Sequence, residues 1–244
     1  IFLYPFKAKS SNNGEPEFDP SLIEEYKNIF GKVQVSDENR SLTQITLAPK
    51  QKKDLTLSIR IVKGETPRDY YFSLIFISEA TAGENQNSAV GARAGIGTNV
   101  LLSIGPKSPT QGHIEEFSAP RFVTKGPVRF KLNIANESKH YISIKGNLLI
   151  KNLFGQTVGN IDLVPANILA GSNRFIGEPS ILWNEKFVLG VYKADLSVAL
   201  SQEGPIVKRS IWFFAFPTQA LLGIILALVL LTGMIKRARS KSFS

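Results

Sequence analysis

The sequence of 244 residues predicts an all-β fold class, in which two β-sandwich domains are followed by one transmembrane α-helix. Three observations support this prediction. Apolar and polar residues alternate along several short segments, which is typical of strands with one buried face. Clusters of Gly, Pro and Asn separate these segments and predict turns between strands. Residues 210–235 then form a run of 26 residues without a charge.

The first β-sandwich domain, expected to be immunoglobulin-like as the second is, is predicted at residues 1–106. Residues 55–61 alternate between apolar and polar side chains, and the same alternation returns over residues 96–104. Residues 70–77 are apolar on both faces, as expected for a central strand of a sandwich. The polar stretch 79–91 is expected to be a loop between strands, and such a loop can carry a binding function.

One short helix is expected in this domain near residues 20–30. Asp19 can cap its first turn, Pro20 suits its first position, and Gly31 can end it. The chain begins at Ile1 with neither an initiator Met nor an export signal. We therefore expect the first domain to be N-terminally incomplete and to lack opening strands.

Glycines precede the last predicted strand of the first domain, at Gly91, Gly95 and Gly97. Their spacing does not fit a phosphate-binding loop, and a strand follows them where that motif requires a helix. We expect these glycines to allow a β-bulge or a close approach of two backbones.

The second domain is predicted at residues 114–211, after a linker at 107–113 that is rich in Gly and Pro. Alternating or apolar segments within it predict strands at 128–134, 141–150, 192–200 and 206–211. Six or seven short strands over about 95 residues describe an immunoglobulin-like sandwich. Tyr192 lies near the start of its strand, where a tyrosine corner would place it, although an ordinary core tyrosine explains it equally well.

The uncharged run predicts a transmembrane anchor at 212–235. A helix over residues 216–235 would be about 30 Å long, the thickness of the bilayer's hydrocarbon layer. A buried core helix is the alternative. The residues expected at the two membrane interfaces are Trp212, Phe213, Phe214 and Phe216 on one side, and Lys236, Arg237, Arg239 and Lys241 on the other. The cations after the run place the basic tail, 236–244, in the cytoplasm and both domains outside the cell.

Composition limits the possible functions. The net charge is +9, and the basic residues are scattered among acidic ones, which argues against nucleic-acid binding. The chain contains no Cys, so disulfides and thiolate chemistry are excluded. A mild positive excess suits anionic wall polymers or lipid headgroups, although a solvated basic surface explains it as well.

The sequence does not predict an enzyme, and no cofactor or metal is expected. Its two histidines, His113 and His140, are expected at the surface, and neither has a Ser, Asp or Glu at a recognised catalytic spacing. The adjacent carboxylates of the pairs 24–25 and 115–116 would point apart on a helix or a strand, so neither pair converges on a substrate.

Several segments resemble the WxL-interacting surface proteins of Gram-positive bacteria and their relatives. The segments are ITLAP at 45–49, LTLSI at 55–59, DYYFSLIF at 69–76, GIGTNVLL at 95–102, FKLNIAN at 130–136, GNLLIKN at 146–152 and GVYKA at 190–194. The resemblance implies two extracellular sandwiches on one membrane helix. It also implies peptidoglycan binding by the first domain and the holding of partner surface proteins by the second. It supplies no binding residue that can be carried over.

These observations together predict a single-pass protein of the cell membrane that binds or scaffolds outside the cell. Its expected partners are the lipid bilayer, peptidoglycan or another wall polymer, and a surface protein, with no nucleic acid among them. The alternative is an anchored accessory or chaperone-like subunit of an export, pilus or transport assembly.

Overall fold

A computed structural model gives the fold of the chain. It describes residues 1–9, 14–38, 40–78, 94–106, 108–177, 180–186, 188–217, 223 and 230–234. The fold class is all-β, as predicted, with several sheets and a short helix near the N-terminus. The predicted loop at 79–91 lies outside the described residues.

The chain divides into two compact units. Unit 1 comprises Ile1–Pro109 together with Ser138–Tyr141 and Leu169–Ser172, and unit 2 comprises Thr110–Glu137, Ile142–Ile168 and Asn173–Ser244. The division therefore does not follow the predicted linker alone, because two short segments from the predicted second domain belong to unit 1.

The elements of unit 1 are β1 (Phe2–Ala8), β2 (Pro16–Phe18), a 3₁₀ turn (Pro20–Leu22), α1 (Ile23–Phe30), β3 (Val33–Asp37), β4 (Arg40–Ser41), β5 (Thr56–Ile59), β6 (Arg68–Ile77) and β7 (Gly95–Ile104). They form an antiparallel sheet in the order β2-β1-β6-β7 and a smaller sheet in the order β4-β3-β5. Tyr26 and Ile29 of α1 pack with Tyr70 and Phe72 of β6 in a common core. Strands occur at the predicted positions of β5, β6 and β7, and residues 70–74 of β6 are buried on both faces. The burial expected to alternate along β7 is not observed, because its first five residues are all exposed.

The start of the helical region follows the sequence prediction. The Asp19 carboxylate accepts a hydrogen bond from the Ser21 N–H, Pro20 opens the 3₁₀ turn, and Gly31 follows the last helical residue. The chain opens with a strand, β1, which lies between β2 and β6 in the sheet. The expectation that further opening strands are missing stays a prediction.

Asp69 and Tyr71 bind the two additional segments of unit 1. Its carboxylate accepts hydrogen bonds from the Tyr71 hydroxyl and the Tyr141 N–H, each at 2.6 Å, and from the Ser103 hydroxyl at 2.5 Å. The Tyr71 oxygen accepts in turn from the Ala170 N–H at 3.3 Å. Burial, and then the hydrogen bond to Asp69, raise the pKa of Tyr71, so its hydroxyl remains a donor.

The elements of unit 2 are β8 (Gly112–Ser118), β9 (Phe122–Val123), β10 (Val128–Asn136), β11 (Ile142–Asn152), β12 (Thr157–Asp162), β13 (Ala166–Ile168), β14 (Asn173–Phe175), β15 (Ile181–Trp183), β16 (Gly190–Ala199) and β17 (Ile206–Ala215). In one sheet β10 pairs with β8, β14 and β15. The other sheet has the order β12-β11-β16-β17-β9, and β13 also pairs with β11. The pairing of β9 with β17 is parallel.

A continuous core fills unit 2 between these sheets. Phe130 from one sheet and Leu148, Leu196 and Phe213 from the other are almost fully buried in it. Tyr192 stands near the start of β16, and its hydroxyl donates to the Leu189 carbonyl at 3.1 Å and accepts from the Leu189 N–H at 3.2 Å. A tyrosine corner makes a hydrogen bond of this kind, and Tyr192 is also part of the core, so both interpretations of Tyr192 are compatible with its contacts.

The last strand of unit 2 extends beyond its predicted end. It was expected to stop at Ile211, where the anchor would begin, but β17 continues to Ala215 and pairs with β16 along its whole length. Of the rest of the predicted anchor, residues 216, 217, 223 and 230–234 are described, and 223 and 230–234 are helical. In the part of the chain that the structure describes, no helix is both long and apolar enough to cross a membrane.

Candidate functional site

Unit 1 has an apolar groove on the outer face of its larger sheet. Ile75 and Ile77 of β6 lie opposite Gly97 and Gly95 of β7, and the pairing of the two strands is continuous through both positions. Of the two alternatives expected for these glycines, a β-bulge is therefore absent at Gly95 and Gly97, while Gly91 lies outside the described residues. Because glycine has no side chain, β7 leaves the two isoleucines uncovered, and their side chains form the floor of the groove.

The groove has a volume of about 440 Å³. Its lining consists of Phe18, Ser73, Ile75, Ile77, Gly95, Ile96, Gly97 and Asn99. Ser73 is buried and donates a hydrogen bond from its hydroxyl to the Asn99 side-chain carbonyl at 2.7 Å. The groove thus offers apolar side chains together with one polar pair.

Aromatic rings extend this face of the sheet. Phe2 pairs with Ile75, Tyr4 with Ser73 and Phe18 with Phe6, so the rings of Phe2, Tyr4 and Phe18 lie on the same face. All three are partly exposed, and Tyr4 meets Phe18 edge to face with ring centres 6.0 Å apart. The outer face therefore presents both aliphatic and aromatic surface beside the groove.

The groove borders an open sheet edge. Within the described ranges, β7 pairs with β6 alone and ends the order β2-β1-β6-β7. An edge strand of ten residues presents unpaired backbone N–H and C=O groups, which can pair with an incoming strand. Residues 79–93, which connect β6 to this strand, include the loop predicted as a binding candidate and lie outside the described residues.

A second apolar surface lies at the end of unit 2 where β17 finishes, here called the Ala215 end. Because β9 runs parallel to β17 and β11 and β16 run antiparallel to each other, this end also carries β9, the turn after β11 and the segment before β16. Its exposed apolar side chains are Phe122, Leu153, Phe154, Leu189, Trp212, Phe214 and Phe216.

Backbone hydrogen bonds hold these side chains outward. The N–H groups of Phe214 and Phe216 donate to the carbonyls of Arg121 and Val123, both at 2.8 Å, and this pairing stacks the Phe122 ring on Phe214. In the turn after β11, the Asn152 side-chain carbonyl accepts from the Phe154 N–H at 3.0 Å. Such a turn leaves Phe154 85% exposed.

The residues predicted at the membrane interface have different environments. Trp212, Phe214 and Phe216 are exposed at the Ala215 end. Phe213 is fully buried in the core of unit 2, because alternation along β17 points it inward. The predicted interface residues Lys236, Arg237, Arg239 and Lys241 lie outside the described residues.

Sequence reasoning missed four members of this surface, Phe122, Leu153, Phe154 and Leu189. Phe122 belongs to a two-residue strand, which is too short to show a period. A signal existed at 153–154, where two large apolar residues occupy a tight turn that usually carries polar ones.

The neighbouring outer face of the β11-β16-β17 sheet is polar. The Asp195 carboxylate accepts from the Ser210 hydroxyl at 2.6 Å and lies 2.9 Å from the Lys193 ammonium and 3.0 Å from that of Lys151. Burial alone would raise the pKa of Asp195, but hydrogen bonds from Lys193, Ser210 and Lys151 outweigh burial and lower the pKa to about 2.

Neither histidine is a member of the groove or of the Ala215 end. His113 is exposed and pairs with Glu137, with 3.1 Å between Nδ1 and Oε1. His140 was expected at the surface but is only 5% exposed, and its Nδ1 lies 3.1 Å from the Ser108 hydroxyl. The expectation for His140 is wrong because this hydrogen bond satisfies its ring inside the fold. In the part of the chain that is described, no cluster of three His, Cys, Asp or Glu residues could hold a metal.

Comparison with known proteins assigns no family. No family model matches the chain, and no curated protein matches it.

Proposed function

We propose that the chain is a membrane-anchored extracellular protein that binds or scaffolds a surface protein, the cell wall, or both. The observation that carries this proposal is the open edge of β7 beside the groove floored by Ile75 and Ile77. A strand edge supplies backbone hydrogen bonds, and an adjacent groove supplies pockets for every second side chain of a ligand. Binding of this kind needs no reactive side chain.

The preferred ligand is an extended segment of a surface protein. Such a segment would pair with β7 and place one apolar side chain over Gly95 and another, two residues away, over Gly97. The glycines suit this role because they leave room for the ligand above the sheet. The polar pair of Ser73 and Asn99 would accept a small polar residue further along the segment.

A wall polymer is the second candidate. The exposed rings of Phe2, Tyr4 and Phe18 favour it, because flat aromatic faces can stack on the apolar faces of sugar rings. The mild positive charge of the chain is compatible with anionic wall polymers. The resemblance to WxL-interacting proteins supports both partners.

We assign unit 2 to the immunoglobulin-like sandwiches and unit 1 to a second, less regular sandwich. The sheet order of unit 2, its single core between two sheets and the tyrosine corner at Tyr192 support the first assignment. In unit 1, the sheets β2-β1-β6-β7 and β4-β3-β5 share a core with α1.

The anchor is proposed at residues 216–235, later than the sequence first indicated, because β17 occupies 206–215. The apolar run without charges and the four cations that follow it support a single span with a cytoplasmic tail. Leu230, Leu231 and Met234 are helical and exposed, as lipid-facing side chains would be.

The alternative function is an accessory or chaperone-like subunit of an export, pilus or transport assembly. An open strand edge also serves donor-strand complementation in pilus assembly, so the geometry of β7 is compatible with it. Capture of cell-wall material or a surface protein by the detergent-solubilised chain supports the main proposal. Capture of a membrane complex alone supports the alternative.

A valine in the groove tests whether this site binds. Gly95→Val should reduce binding of the captured partner at least about tenfold, because the side chain fills the space over Ile75 and Ile77. The fold should tolerate it, since a Cβ at Gly95 would lie 3.5 Å or more from its neighbours. Binding is measured by titration of the partner, or of purified wall, against the immobilised chain.

The matched control is Thr98→Val, which changes an exposed position on the other face of the same strand. It should bind like the unchanged chain. Equal binding by Gly95→Val and Thr98→Val would show that the groove does not bind the partner. If Tyr4→Ala loses wall binding while Gly95→Val binds like the unchanged chain, the ligand is the wall polymer and it binds to the aromatic face instead of the groove.

A further inference from the structure

We infer that the Ala215 end of unit 2 rests in the headgroup layer of an anionic membrane, with Phe122, Leu153 and Phe154 inserted beside the anchor. This inference rests on the proposed function, because it requires the apolar run that follows Pro217 to span a bilayer. It adds a lipid-binding surface formed by loops that are distant from the anchor in sequence.

The short connection between β17 and the anchor brings this surface to the membrane. The Phe216 N–H donates to the Val123 carbonyl, so Phe216 is still held against β9. Pro217 and the first residues of the apolar run then bridge at most about 3.6 Å each. The headgroup layer on each side of the hydrocarbon is about 5 to 7 Å thick. A span that begins here therefore leaves no room for a water layer between unit 2 and the lipid.

The distribution of exposed apolar side chains within unit 2 supports this contact. Phe122 is 78% exposed and Phe154 is 85% exposed, and Leu153, Leu189, Trp212 and Phe214 join them at the Ala215 end. At the opposite end, where β17 begins, the large apolar side chains exposed among the described residues are Val164 and Ile206. Aromatic side chains are enriched at membrane interfaces, where one part of the ring is apolar and the other is wet.

Charged side chains at the same end complement anionic headgroups. Arg121, Lys125 and Lys186 are exposed in the segments beside β9 and before β16, where Glu185 is the acidic residue among those described. A cluster of cations next to inserted apolar side chains is the combination found in interfacial lipid-binding surfaces. The partner is therefore a bilayer that contains anionic lipid.

The absence of cysteine allows each position to be probed separately. The variants Phe122→Cys and Phe154→Cys are labelled with an environment-sensitive fluorophore in the full chain, reconstituted into vesicles of phosphatidylcholine and phosphatidylglycerol. Val164→Cys, at the opposite end and 74% exposed, is the matched control. Extraction with alkaline carbonate first establishes whether the chain is integral to the membrane.

We expect nitroxide groups at headgroup depth to quench the labels at 122 and 154 about threefold more than the label at 164, since quenching requires contact within that layer. Quenching should weaken in vesicles of phosphatidylcholine alone. Replacing Phe122 removes its stacking on Phe214, whereas replacing Phe154 does not. The label at 154 therefore reports membrane contact independently of that stacking.

Retention after carbonate with equal quenching at all three positions would overturn the inference and leave the anchor in place. Release by carbonate would overturn the anchor and the inference together. A fluorescence change that depends on the protein-to-lipid ratio but not on the nitroxide would show that a second copy of the chain covers the Ala215 end. That result would also overturn the inference. Equal quenching with and without phosphatidylglycerol would overturn the preference for anionic lipid.

Discussion

At the scale of single residues, Asp195 connects three strands of unit 2. It belongs to β16, and its carboxylate binds Ser210 of β17 and Lys151 of β11 as well as Lys193 of its own strand. Folding therefore lowers the pKa of Asp195 from its ordinary value of 3.8 to about 2. A carboxyl group whose pKa is lower in the folded state stabilises that state above the unfolded pKa, and this stabilisation is lost as the pH falls towards the folded value.

Asp195→Asn should accordingly lower the free energy of unfolding at pH 7 by about 1 to 2 kcal/mol, since the lysines are partly exposed to solvent. The difference from the unchanged chain should shrink between pH 4 and pH 2, the window between the two pKa values. Urea unfolding followed by the emission of Trp183, which is buried in the core of unit 2, measures both quantities. Asp162→Asn, on the exposed strand β12, is the control. A difference that stayed constant down to pH 2 would contradict the proposed electrostatic role.

At the scale of elements, β17 and the anchor share a boundary that the sequence could not resolve. Trp212, Phe213 and Phe214 suit a strand as well as an aromatic belt at a membrane, because large aromatic residues are favoured in both. The packing decides between them. Phe213 contacts the rings of Phe130, Trp183 and Tyr192, whereas Trp212 and Phe214 face outward.

Phe213→Ala should therefore destabilise unit 2 by about 3 to 5 kcal/mol, the usual cost of removing a buried phenylalanine. Phe214→Ala, one residue further along the same strand and half exposed, should cost less than about 1 kcal/mol. Both are measured by urea unfolding with Trp183 emission. Similar small changes in the free energy of unfolding for the two variants would contradict the burial of Phe213 in the core and would favour its predicted place at the membrane interface.

Several strands that the sequence predicted show a regular alternation of buried and exposed residues. In β16 this alternation has no break, and in β10 it runs from Val128 to Leu132, before a register shift between Asn133 and Ile134. The strand β1 was missed because Pro5 interrupts its pattern, and β9 because two residues cannot show a period. Strand β12 is largely exposed and polar, so it lacks the apolar signal altogether.

The candidate sites were predictable only in part. The glycines 95 and 97 were noticed in the sequence, but their effect depends on Ile77 and Ile75, which lie opposite them only once β6 and β7 are in register. The Ala215 end likewise combines Phe122, Phe154 and Phe214 from three elements. Adjacency across strands is a property of the pairing, and a single sequence does not contain it.

At the scale of the whole molecule, the proposed topology assigns different tasks to the two ends of the chain. The groove of unit 1 belongs to the part that lies outside the cell under this proposal, and the basic tail after residue 235 remains inside. The asymmetry of charge around the apolar run is the physical basis for this orientation.

Trypsin treatment of cells whose wall has been opened tests the orientation directly. It should remove the two units and leave a membrane-protected fragment that contains residues 236–244, detected through an epitope added at the C-terminus. When the membrane is also permeabilised, trypsin should cut after Lys236 and Arg237, and the epitope signal should disappear. These outcomes follow because four cations close to the end of the apolar run disfavour its transfer across the membrane. Protection of residues 1–211 in intact cells, with loss of the epitope, would reverse the orientation and exclude binding at the cell surface.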